Sequence, residues 1–190
     1  MKTNLARLIS ILGHPLLTLP LFAVIALFTY EKFHQALIHS SLILGGICLP
    51  LCLKMYWKTK NGSYTNFDVS DKKQRQSWYI YALLILLVVT IILFATEQPR
   101  TLRLAVLFAL LLLALSKLAN FFIKSSLHVS LNLFLAFLIM SMNLPIGLIF
   151  LSSIIFVAWA RLVLKRHTMK EIIAGALIGF VIGIAAFIFI

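Results

Sequence analysis

Arg161, His167 and Glu171 are the side chains of this sequence whose types and spacing best suit chemistry. They lie between two apolar runs, in the stretch Ala160-Arg-Leu-Val-Leu-Lys-Arg-His-Thr-Met-Lys-Glu171, at intervals of six and four. His167 and Glu171, four apart, share a helix face if a helix begins near them. A carboxylate one turn from an imidazole accepts its N–H and fixes the tautomer. An imidazole held that way can be a nucleophile or a general base. Arg161 adds a planar fork of donors suited to phosphate oxygens. Taken alone, these residues are more simply a basic loop at a membrane surface with an interfacial histidine.

Two further polar stations change that balance. The longest polar segment runs from Trp57 to Ser77, and Asn61-Gly62 marks a turn within it. The following stretch predicts a short helix capped by Asp68 or Ser70, with Asp68, Lys72 and Arg75 together on one face. The alternative there is a solvated amphipathic loop. The other station is Lys124-Ser-Ser-Leu-His128. Ser125 or Ser126 can cap the apolar run that follows, which puts His128 in a first helical turn, where backbone N–H groups attract anions. The simpler alternative is a capped span with an interfacial histidine. His14 reads as interfacial, and His34 and His39 acquire no role.

These stations must be positioned by membrane helices. The chain is 62% hydrophobic and 12% charged over 190 residues, with a mean hydropathy of +1.06. Soluble domains carry about 25% charged residues. The apolar runs are near or above the ~20 residues that cross a bilayer, and the short alternating strands of a membrane β-barrel are absent. The expected fold is all-α: one integral membrane domain over residues 1–190, a polytopic bundle of about six to seven spans. The runs are Leu8–Phe28, Ala36–Met55, Trp78–Ala95, Leu102–Ile123, Val129–Met142, Ile146–Trp159 and Ile172–Ile190. Gly175, Gly179 and Gly183 form a small-residue stripe for helix contact. Cys48 and Cys52 read as buried thiols, with neither a disulfide nor a metal site implied.

Seven spans give a parity check: two separate the 57–77 segment from His128, and two separate His128 from Arg161, so all three stations reach one membrane face. Of the 17 Lys and Arg residues, 14 fall on that face and only Lys32, Arg100 and Arg103 on the other. This predicts a cytoplasmic site and N-terminus. The net charge of +12 is thereby a matter of topology and anionic lipid, not of nucleic acid.

In register, the three stations resemble the motifs of the type 2 phosphatidic acid phosphatase superfamily of membrane lipid phosphatases. Its third motif is Ser-Arg, five residues, His, three residues, Asp; this chain has Ala160-Arg161, His167 and Glu171 at those spacings. Its second is Pro-Ser-Gly-His, against Ser125-Ser126-Leu127-His128, and its first is Lys, six residues, Arg-Pro, against Asp68 and Arg75-Gln76. The resemblance covers roughly residues 68 to 190 and implies the core fold of that superfamily. It implies a covalent mechanism without metal or cofactor: His167 as nucleophile oriented by Glu171, His128 as acid and base, and Arg75, Arg161, Lys72 and Ser126 holding the phosphate. The expected partners are a lipid phosphate or diphosphate substrate and the bilayer itself, with no obligatory protein partner, in the inner membrane of a bacterium. The departures are Asp68 for lysine, Glu171 for aspartate, Ala160 for serine and Leu127 for glycine. They leave open a phosphotransferase using the same histidines, or a non-catalytic scaffold or transport relative.

Overall fold

In the computed structural model, every residue except Ser70 is described, and the described residues form helices and turns without a strand. In chain order the helices are α1 (Lys2–Leu12), α2 (Pro15–Tyr30), α3 (Phe33–Ile43), a π-helical turn (Leu44–Cys48), α4 (Leu49–Lys60), α5 (Lys72–Ala95), α6 (Arg100–Phe122), α7 (Leu127–Met142), α8 (Leu144–Val163) and α9 (Met169–Phe189). Outward faces are apolar: Leu84, Val88 and Ile91 on α5, Ile149, Ile155 and Phe156 on α8, and Leu177, Val181 and Ile188 on α9 are all exposed. Such a surface belongs in hydrocarbon, where each helix satisfies its own backbone. The protein is built as an integral membrane protein.

Among the described residues, five helices are long and apolar enough to cross a membrane: Phe33–Lys60, Lys72–Ala95, Arg100–Phe122, Leu144–Val163 and Met169–Phe189. The pair α1 and α2, bent by 46°, makes a sixth if it is one broken span. Of the expected six to seven spans, the lower count is reached only with the broken pair, and two of the seven apolar runs depart from full spans. The first run is interrupted at Gly13-His14-Pro15, where His14 caps α2 and Pro15 takes its first turn. The fifth run yields α7 with only 16 residues, because it is cut short by Ser125-Ser126 at one end and Asn143 at the other. The Phe33–Lys60 span continues through its π turn at Gly45-Gly46, four and five residues before Pro50. Proline lacks the N–H for an i−4 bond, and the wider turn absorbs the mismatch.

The centre of the bundle is α7, buried along most of its length and packed on α8 and α9. The Gly175, Gly179 and Gly183 stripe makes that contact as expected. A Cβ on Gly175 would lie 2.5 Å from the Ser126 carbonyl oxygen, and those on Gly179 and Gly183 would strike Ser130 and Phe137. The opposite end of the bundle is tied by His39, bridged between Glu31 at 2.5 Å and Gln98 at 2.6 Å. Arg100 there donates to the Phe189 carbonyl at 3.2 Å. Cys48 and Cys52 are free thiols.

Between α2, the π turn, α5, α6 and α7 lies a cavity of about 830 Å³ with mainly apolar walls. One end is lined by His14, Asp68, Arg75 and His128, the other by Glu31, Lys32, Gln35 and Thr101.

A methyl at Gly175 must push α9 off α7, and overpacking of this kind costs about 1–3 kcal/mol. Gly175→Ala is therefore expected to lower the thermal unfolding midpoint in detergent. Gly45→Ala, where an added Cβ meets nothing within 4 Å, is expected to leave it unchanged. Equal midpoints for the two variants would contradict the tight α7–α9 contact.

Candidate functional site

The polar stations meet at one end of the bundle, as the parity of the spans predicts. His167 lies in the turn between α8 and α9, and α9 begins with a reciprocal cap. Thr168 Oγ1 accepts from the Glu171 amide at 3.4 Å, and Glu171 Oε2 accepts from the Thr168 amide at 3.0 Å. The same Oε2 accepts from His167 Nδ1 at 3.0 Å, with Lys124 Nζ at 3.8 Å. Because a carboxylate only accepts, Nδ1 carries the hydrogen and Nε2 keeps its lone pair. Burial pushes the His167 imidazole down to about 2, with Arg75, Arg161 and Lys124 adding to the effect and the Lys124 carbonyl opposing it. His167 is thus a neutral imidazole of fixed tautomer at neutral pH. Glu171 reaches both the helix cap and the ring.

Arg161, in the last turn of α8, is 1% exposed. Its Nη1 donates to Asp68 Oδ2 at 2.7 Å and to Ser10 Oγ of α1 at 2.9 Å, and lies 3.4 Å from His128 Nε2. Its Nε, also buried, has no acceptor among the described residues. His128 stands in the first turn of α7, held at its carbonyl by Asn132 Nδ2, which also grips the Gly13 carbonyl at 2.8 Å. That second bond fixes the break between α1 and α2. Gly13 is required there, since a Cβ would lie 2.6 Å from a Val157 methyl.

The break delivers His14, whose role the sequence reading missed. Its Nδ1 accepts from the Leu16 amide at 3.1 Å, so Nε2 carries the hydrogen, and it faces Asp68 Oδ1 at 3.3 Å. The ring stands edge-on to His128, 4.9 Å between centroids. Burial alone would raise the Asp68 carboxyl. The His14 hydrogen bond and the charges of Arg161 and His128 overrule it and hold the group well below the usual carboxylate range.

The remaining expected ligands divide. Arg75 is buried, and its Nη1 donates to the Ser125 carbonyl at 2.6 Å. The Ser126 hydroxyl is buried and unpartnered beside it, with its amide bonded to the Glu171 carbonyl at 3.0 Å. Lys72 does not join them: its Nζ donates to the Phe121 carbonyl at 3.0 Å and lines a shallow outer cleft with Lys124 and Glu171. The reason is local. Helix α5 is capped by Asp71, whose carboxylate accepts from the Lys73 and Gln74 amides, both at 2.9 Å. Asp68 therefore lies in the preceding loop, and the expected shared face of Asp68, Lys72 and Arg75 does not form. The alternative cap, Ser70, lies outside the described residues.

His14, Asp68 and His128 bring three possible ligand atoms within 4.8 Å of one another. The Arg161 guanidinium already stands against Asp68 and His128, and His14 presents N–H rather than a lone pair. Both features oppose a cation at this group.

Protein-family models, curated proteins and solved structures were compared with this chain, and none matches it.

The buried neutral His167 has a measurable signature. The unfolded chain protonates this residue below about pH 6.5, whereas the folded one does not until about pH 2. The unfolded state binds more protons across that window, so stability rises with pH there, by up to about 1.4 kcal/mol per pH unit for one site. Denaturation in detergent between pH 4.5 and 6.5, run on wild type and His167→Asn, is expected to show a shallower slope for the variant. Identical slopes would contradict a buried neutral ring.

Proposed function

We propose that this protein is a metal-independent lipid phosphatase acting on a phosphate or diphosphate headgroup. Polyprenyl diphosphate, phosphatidic acid and phosphatidylglycerol phosphate are the substrate classes in view. The observation that carries it is a neutral His167, fixed at Nδ1 by Glu171, within electrostatic reach of Arg75 and Arg161 and across Arg161 from His128.

The chemistry proceeds in two displacements. His167 Nε2 attacks phosphorus, and the bond from phosphorus to the leaving oxygen breaks. That oxygen takes a proton from His128, which enters the step as imidazolium when the negative phosphate is bound beside it, and phosphorus remains on His167. Water then attacks the phosphohistidine while His128 accepts its proton, the N–P bond breaks, and inorganic phosphate leaves. Arg75, Arg161 and the Ser126 hydroxyl stabilise the oxygens as charge develops. The 830 Å³ cavity, apolar and polar-ended, suits a hydrocarbon chain attached to such a headgroup. The cation excess on this face supports a cytoplasmic site in a bacterial inner membrane.

Two observations favour a second reading, a non-catalytic relative: Asp68 already occupies Arg161 Nη1, and neither Arg161 nor His167 lines the large cavity.

Phosphate release from a panel of these lipids by the purified protein in detergent with EDTA separates the two. Turnover that survives EDTA and falls at least a hundredfold in both His167→Ala and His128→Ala is expected, the scale of lost acid–base and nucleophilic catalysis. No release above the variants on any lipid would remove the hydrolase reading.

A further inference from the structure

The carboxylate of Asp68 occupies the position that the phosphatase reading gives to a phosphate oxygen. It accepts from Arg161 Nη1 at 2.7 Å and from His14 Nε2–H at 3.3 Å, with His128 beside it. It does so imperfectly. Arg161 is a fork whose Nε–H is buried with no acceptor among the described residues. The Asp68 carboxylate spends one oxygen on Nη1 and the other on His14, and leaves this donor unmet. A tetrahedral oxyanion, with three oxygens to offer, matches the arginine fork bidentately and still meets His14.

The segment carrying Asp68 is a loop between α4 and α5 with a strained residue beside the carboxylate. Its neighbour Val69 has φ of 46°, a conformation that a β-branched side chain adopts only under constraint, at a cost of about 1–3 kcal/mol. Val69 is buried in a small cluster with Met55 and Tyr64, which Leu16 and Trp78 join to the main core, and its amide donates to the Asn66 carbonyl at 3.1 Å. The loop's bonds to the helices beside it include the Tyr64 hydroxyl to Ser77 Oγ at 3.0 Å, the Tyr64 amide to the Lys58 carbonyl at 2.9 Å and the Thr65 amide to Gln74 Oε1 at 3.0 Å, while Asp68 reaches the bundle through Arg161 and His14. Its other edge is the cavity wall, where Asp68 and Val69 face the apolar volume.

We propose that Asp68 is an internal competitor for an oxyanion seat formed by Arg161 and His14, and that a phosphate group binds by displacing it and swinging the 61–71 segment outward. His14 is thereby a phosphate ligand outside the three motifs. This rests on the site being a phosphate site, but binding and not turnover tests it, so absence of hydrolysis leaves it standing. An internal competitor lowers apparent affinity by the fraction of molecules it leaves open.

The test measures inorganic phosphate binding by calorimetry on the full chain in detergent, for wild type, Asp68→Asn and Asp68→Ala. It is paired with trypsin cleavage of wild type at the exposed Lys58, Lys60, Lys72 and Lys73 with and without ligand. Both variants are expected to bind phosphate about tenfold tighter or more, His14→Phe in the Asp68→Asn background to lose that gain, and ligand to speed cleavage of the wild-type segment. Dioctanoyl phosphatidic acid is run beside inorganic phosphate. Release by both assigns the seat to the oxyanion alone, and release only by the lipid assigns it to a headgroup with its chain in the cavity. Either supports displacement. Phosphate affinity equal to or weaker than wild type in the variants would overturn the proposal. So would a wild-type segment that saturating ligand leaves unchanged or protects, and that arm decides even if the variants fail to fold.

Discussion

A guanidinium that is almost wholly out of water cannot remain without an anion, and the architecture around Arg161 follows from that constraint. Burying an ion costs several kcal/mol before any partner is found, and removing one partner of a buried pair costs about 3–5 kcal/mol. Asp68 is the partner, and Ser10 completes the Nη1 contacts. To bring them there the chain must break between α1 and α2, return the 61–71 loop over the end of the bundle, and keep α7 close enough to place His128 beside the pair. Gly13, Asn132 and His14 each serve that arrangement.

The second constraint is the glycine contact between α7 and α9. With backbone nearly touching backbone at Gly175, the Ser126 amide reaches the Glu171 carbonyl, so the start of α7 and the start of α9 move as one body. Glu171 then carries three duties with one oxygen: closing the helix cap, orienting His167 and facing Lys124. An aspartate, one methylene shorter, suits the N3 position of a capping box less well than glutamate, and this is a structural reason for the residue found here.

Helical class, the polar stations, their shared end of the bundle and the His167–Glu171 pair were legible in the sequence, because each depends on hydropathy, on spans counted in pairs or on an i, i+4 interval. His14 was not. Nothing in its spacing ties residue 14 to residues 68 or 128, and only the break at Pro15 hinted that a helix begins beside it. Asp68 was misread for a related reason. A cap three residues later, at Asp71, starts α5 late and turns what looked like one face into a loop followed by a helix. Lys72 fails to join the cluster through the same shift. His39 had no signal at all, since its partners Glu31 and Gln98 come from two turns far apart in the chain.

Helix α7 has a consequence for depth. Sixteen residues at 1.5 Å each extend about 24 Å, against a hydrocarbon thickness of about 30 Å. Its neighbours are longer and set the position of the whole body in the bilayer. A helix about 6 Å short of the hydrocarbon thins the bilayer locally or leaves one of its ends below the interface, so bilayer thickness becomes a variable to which the centre of this bundle responds.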